Sequence, residues 1–306
     1  MENHIDRAYA NARVMDFDDS ARIVIMSDCH RGYGGWADSF SVNQNNYFAA
    51  LRYYERNMFT YFELGDGDEL WENRRFSDIS AVHCHVFWLL AKLYDEGRLV
   101  MLYGNHDIEK KQKPGLMNTY YDATKTEACP LFPGMTVYES VVLRRRPDRE
   151  EIFLLHGHQA DFLNDSLWPL ARFLVRHLWK PLQVVGIKAP ATGSVHTRAR
   201  DKTEKLLSGW ASANRTLMIA GHTHRPVFPE PGQSLYLNDG SCVHPRCITA
   251  IELASGSVSL VKWSNKTKPD GTLYVGRDVL AGPYRVASYY RRAAANRAAD
   301  GLTAAR

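Results

Sequence analysis

The sequence predicts an α/β fold, and three patterns predict it. Five short apolar, β-branched runs each end in a polar cluster: "RIVIMSDCH" (22–30), "TYFELGDGDE" (60–69), "RLVMLYGNHD" (98–107), "EIFLLHGH" (151–158) and "TLMIAGHTH" (216–224). Each has the form of a buried strand running into a loop. Helical stretches, roughly 44–57 and 77–96, separate the first three runs and give a β-α-β-α-β opening. The later runs "SLYLNDG", "CITAIEL" and "SVSLVKW" follow at close spacing with Gly, Asn and Pro turns between them, which reads as an antiparallel meander.

The remaining segments fall around this frame. The N-terminal "MENHIDRAYANARVMDFDD" is polar and acidic with no apolar core, so no signal peptide is expected. Residues 108–135, with Lys110, Lys111, Lys113, Pro114 and Gly115, form a long connection expected to pack over the strand ends. Residues 159–215 read as a helix-rich insertion within a single domain, 1–285, and 286–306 as a basic Ala/Arg tail. The 306 residues are 45% hydrophobic and 24% charged, ordinary for a globular chain with a sizeable core. A net charge of +4 does not imply nucleic acid. Five scattered cysteines without CxxC spacing suit a reducing cytoplasm, and no run approaches a membrane span.

The polar clusters carry the chemistry. At the C-terminal ends of five strands, where open α/β sheets build ligand sites, stand Asp28 and His30, then Asp66, then Asn105 and His106, then His156 and His158, then His222 and His224. One such residue is an ordinary turn former or hydrogen-bonding side chain. Five strands ending alike point to a shared ligand. Carboxylate, imidazole and amide donors without cysteine suit Mn, Fe or Zn. Seven ligands drawn from these nine would exceed the needs of one ion with an open position and suffice for two ions sharing a carboxylate.

"DCH", "GDGDE", "GNHD", "HGH" and "GHTH", in this order, resemble the motif series of the calcineurin-like metallophosphoesterase superfamily. The resemblance implies a four-layer αββα sandwich of two mixed sheets with a helical insertion. It implies one metal on Asp28, His30, Asp66 and His224, a second on Asp66, Asn105, His156 and His222, and His106 as the catalytic histidine. His156 or His158 could serve as the ligand in "HGH", and the family pattern favours His156. Asp68, Glu69 and Glu72 read as outer residues or helix-start residues. Two divalent ions, Mn with Fe or Zn as alternatives, would activate a bridging hydroxide for attack on a phosphoester or diphosphate.

The forms "GDGDELW" and "GHTHRP" are similar to the UDP-2,3-diacylglucosamine diphosphatases, though "GNHD" and "HGH" depart from that branch. In "DFLNDSLWPLARFLVRHLWKP", leucines recur at helical spacing, with Trp168 and Trp179 widening the apolar face and Arg172 and Arg176 among them. A second helix is expected at about 196–213. These would be either packed helices or a lid receiving a phosphorylated, lipid-like substrate, with peripheral membrane contact. Arg31 is a candidate phosphate contact or a surface loop arginine, and His158 a candidate substrate neighbour. The other readings are a phosphodiesterase or phosphatase for nucleotides or phosphoproteins, and a non-catalytic scaffold.

Overall fold

Alternation along the central strands decides the architecture. β2 (Arg22–Met26) sends Ile23 and Ile25 into one core and Val24 and Met26 into another. β3 (Thr60–Leu64) likewise divides Phe62 and Leu64 from Tyr61. Successive side chains of a strand point to opposite faces, so a strand apolar on both needs cover on both. The computed structural model, which describes residues 4–36, 38–73, 75–113, 115–117, 119–122, 126–161 and 194–291, supplies that cover.

Two mixed sheets face each other. One has the order β1 (Arg13–Phe17), β8 (Ser140–Arg145), β9 (Glu151–Leu155), β10 (Leu217–Ala220), β11 (Tyr236–Asn238). The other runs β14 (Leu273–Arg285), β13 (Ser257–Thr267), β12 (Cys247–Ala254), β2, β3, β4 (Leu99–Leu102), β7 (Val137–Tyr138), with β2, β3, β4 and β7 parallel. Ile25, Phe62 and Leu64 meet Val142, Phe153 and Ile219 in one core, which Leu207 and Trp210 of the long helix Ser194–Asn214 also enter. The second core packs Val24, Met26 and Tyr61 against helices α2 (Gln44–Arg56) and α4 (Cys84–Asp95) through Tyr47, Leu51, Phe87 and Leu90. Helices thus flank two sheets, the α/β metallophosphoesterase arrangement that the resemblance implied.

Some elements differ from the sequence reading. The stretch 77–96 is two helices, α3 (Phe76–Val82) and α4, broken at His83. That side chain is fully buried, 3.1 Å from Asp38 Oδ2 and 3.1 Å from Gln44 Oε1, and its backbone leaves the helix to reach them. "SLYLNDG" does not join the meander. Its strand, β11, pairs parallel with β10 in the other sheet. The connection 108–135 contains a short helix, α5 (Glu109–Gln112), and a hairpin of β5 (Thr119–Asp122) with β6 (Glu127–Pro130) that lies against α3 and α4. The helix expected at 196–213 spans Ser194–Asn214, here α6. The first insertion helix, with Trp168, Arg172, Arg176 and Trp179, lies outside the described residues. Past β14, residues 286–291 are helical, with Val286 and Tyr289 buried in the first core. Among the described residues, no helix is long and apolar enough to cross a membrane.

Candidate metal centre

All five motif strands end at one edge of the sandwich, and the backbone there is bent to purpose. Asp28, His30, Asp66, His222 and His224 all have positive φ, between 48° and 66°. Non-glycine residues take that conformation rarely and at some cost, and such residues concentrate at functional sites. Two motif glycines leave room for the ligands. A Cβ on Gly104 would lie 2.1 Å from Asp66 Oδ1, and one on Gly65, itself at φ +90°, would lie 2.7 Å from the His156 ring.

The side chains converge in two groups, Asp28–His30–His224 and Asp66–His156–His222, and His30 also meets Glu69 and His106 in a third. In the first, His224 Nε2 is 3.0 Å from Asp28 Oδ1 and 3.3 Å from His30 Nε2. In the second, His156 Nε2 is 3.2 Å from Asp66 Oδ2, and the His156 and His222 rings are 5.2 Å apart. The groups share a wall: Asp66 Oδ2 is also 3.7 Å from His30 Nε2, and Asp28 Oδ1 is 3.9 Å from His156 Nε2. The other carboxylate oxygens are held by backbone. His106 N donates to Asp66 Oδ1 at 2.8 Å and His222 N to Asp28 Oδ2 at 2.9 Å. His156 Nδ1 donates to the Leu64 carbonyl at 2.9 Å, which leaves Nε2 facing the carboxylates.

Three donor atoms test whether metal fits. Asn105 Oδ1 is buried with no hydrogen-bond partner, while the buried Asp28 Oδ1 and His156 Nε2 make no well-directed hydrogen bond and face His224 at 3.0 Å and Asp66 at 3.2 Å. Unsatisfied buried polar atoms are costly, and a cation would satisfy all three. The charges agree. Burial opposes ionisation of Asp28, yet His224 and His156 hold its carboxyl well below the ordinary range. Burial also opposes a charged His156, but Asp66 and Asp28 push it up to about 9. A proton on His156 would balance these carboxylates without metal, and metal binding would displace it.

His106 stands beside both groups without belonging to either acid pair. Its Nδ1 is 2.9 Å from Glu69 Oε1, its ring is stacked on Trp71 at 4.0 Å, and 21% of its side chain is exposed. Glu69 also lies 3.0 Å from His30 Nδ1, so one carboxylate orients a candidate ligand and the candidate catalytic histidine. Burial opposes its charge, but His106 brings its pKa down to about 2. His222 and His224 keep 12% and 29% of their side chains exposed, so the centre opens on that side.

Most residues singled out in the sequence meet here: Asp28, His30, Asp66, His156, His222 and His224 in the two groups, with Asn105 and His106 bordering them. His158 does not join a metal-competent group. Its ring is 5.5 Å from that of His156 and 6.0 Å from that of Tyr103, and it is buried. Arg31 corrects an expectation. It is fully buried, and its guanidinium is taken by Glu63 at 2.8 Å and Asp68 at 2.7 Å, so it is turned away from any substrate. Sequence reasoning missed Trp71 and Asp161, whose Oδ2 is 3.6 Å from His222 Nε2. "HGHQAD" carried the signal for Asp161 only as one more polar residue after the strand.

Paired acid–imidazole groups at the edge of two facing mixed sheets define a metallophosphoesterase-type centre. Residues 21–226 match the calcineurin-like phosphoesterase family, and the chain belongs to it. Among solved structures, Chaetomium thermophilum Vps29 is similar at 13% identity over 86% of this chain and 96% of that one, with a TM-score of 0.36. Vps29 of the same organism complexed with a RaPID-derived cyclic peptide, RT-D3, gives 11% identity over 85% and 96%, with a TM-score of 0.33. No curated protein matches the chain.

Proposed function

We propose that this protein is a two-metal phosphohydrolase, and the observation that carries the reading is the shared wall between the two acid–imidazole groups. Asp28, His30, Asp66 and His224 would hold one divalent ion, and Asp66, Asn105, His156 and His222 the other, with Asp66 common to both. Bound there, the metals would supply Lewis acidity toward a phosphoryl oxygen and lower the pKa of bound water. The chain's own residues do the rest. Glu69 accepts from His106 Nδ1, which leaves Nε2 to donate a hydrogen bond or proton to a phosphoryl or leaving oxygen. Trp71, stacked on that ring, restricts its rotation. Buried Asp28 and Asp66 keep both carboxylates charged for metal.

The substrate proposed is a phosphoester or diphosphate. A nucleotide-sugar lipid is the first to try, because "GDGDELW" and "GHTHRP" resemble the diacylglucosamine diphosphatase branch and the sequence "DFLNDSLWPLARFLVRHLWKP" sets arginines among apolar residues, as a lid or packed helix would. Hydrolysis of a chromogenic phosphodiester and a monoester, with and without Mn, tests the reading. Mn-dependent release of chromophore supports it. No release from either ester, nor from a nucleotide-sugar lipid, favours a binding scaffold on the same fold.

A further inference from the structure

Directly beneath the candidate centre lies a second group of acids, Glu63, Asp68 and Asp107, close enough together to hold a cation. The chain supplies that cation itself. Lys110 Nζ stands 2.7 Å from Asp68 Oδ2, 2.8 Å from Asp107 Oδ2 and 3.4 Å from Glu63 Oε1. Arg31 completes the lattice from the other side, with Nε 2.7 Å from Asp68 and its two terminal nitrogens 2.8 and 2.9 Å from Glu63. All five side chains are fully buried.

The lattice spans the chain's three motif loops of the seven-stranded sheet. Arg31 follows candidate ligand His30 after β2, Asp68 lies two residues past Asp66 after β3, and Asp107 and Lys110 follow Asn105 and His106 after β4. Asp107 fixes the backbone as well. Its Oδ1 accepts from Gly104 N at 2.7 Å and Asp66 N at 3.3 Å, and its Oδ2 from Gly67 N at 3.0 Å. Two cations and three carboxylates, all buried, tolerate few alternative arrangements, because each unpaired charge would be left buried.

We propose that Lys110 is a positioning residue for the metal centre: its ammonium locks the loops after β2, β3 and β4 in one register, so that His30, Asp66 and Asn105 stand aligned before metal arrives. This rests on the two-metal reading, and the test separates the two. Calorimetric titration of Mn into wild type and Lys110→Met, with thermal melts of each, reads the effect. Coulomb's law alone says that deleting a cation beside the centre tightens Mn binding. Lost alignment says the opposite, a weakening of about 10- to 100-fold, the range for residues that orient metal ligands.

Should Lys110→Met fail to fold, Lys110→Met with Asp107→Asn removes one cation and one carboxylate together and keeps an acceptor for Gly104 N, and the same weakening is expected of it. Unchanged or tighter Mn binding in a folded variant, whatever its melting temperature, overturns the proposal. A wild type that takes up no Mn overturns this inference and the two-metal reading together. Two ions bound equally by wild type and variant overturn only the role of Lys110.

Discussion

Two buried polar shells a few residues apart are built on opposite rules. In the candidate metal centre, Asp28 Oδ1 and Asp66 Oδ2 meet only imidazoles, His224 at 3.0 Å and His156 at 3.2 Å, and the buried Asn105 Oδ1 has no hydrogen-bond partner. In the lattice below, Arg31 and Lys110 reach all three carboxylates at 2.7 to 3.4 Å. Both shells pay for desolvation. The lower one pairs its carboxylates with permanent cations of the chain, whereas the upper one pairs them with imidazoles, which are themselves metal ligands. The lower shell gives rigidity, and the upper gives converging donor atoms held in fixed positions by that rigidity.

The comparison can be broken from either side. The largest effect is expected from Asp66→Ala, because one carboxylate lies between both groups. Metal analysis should find both ions lost, and activity at background. His106→Ala removes no proposed ligand, although its ring packs edge-on against that of His30 at 4.7 Å. It should keep metal while turnover falls by roughly 10²–10⁴, the range for acid–base groups, in kinetics at saturating Mn. Retention of full turnover would remove His106 from the reaction. Glu69→Gln, which loosens His30 and His106 together, should weaken metal affinity by about 10- to 100-fold by titration.

Arg31→Met breaks the lower shell and leaves Glu63 with only the longer Lys110 contact, at 3.4 Å, for an ion pair. Urea unfolding should show a loss of about 3–5 kcal/mol, the cost of breaking a buried ion pair. The smallest effect is the control. Arg75 pairs with Asp78 at 3.2 Å, but its side chain is 77% exposed, so Arg75→Ala should change stability by about 0–1 kcal/mol. A loss there as large as at Arg31 would mean that burial is not what separates the shells.

The upper shell was legible in the sequence and the lower one was not, for a physical reason. Ligands must project from strand ends into loops, so they cluster behind apolar runs as "DCH", "GNHD" and "GHTH", a local signal. Lattice members come from a strand interior (Glu63), from loops (Arg31, Asp68, Asp107) and from a short helix (Lys110), and only folding brings them together. Arg31 read as a loop arginine for that reason. The sheets show the same division. The parallel core followed from β-α-β order, whereas "SLYLNDG" resembled its neighbours in sequence and was assigned to the wrong sheet, because pairing across long separations leaves no local mark. His83 broke a helix that looked continuous because its partners, Asp38 and Gln44, lie far away in the chain.

The central claim is that the converging acid, imidazole and amide donors belong to a pair of metals sharing Asp66. Calorimetric titration of purified, chelator-treated protein with Mn, checked by elemental analysis, addresses it most directly. The account predicts two ions per wild-type chain and none on Asp66→Ala. No uptake by the wild type, or two ions still bound after Asp66 is removed, would contradict it.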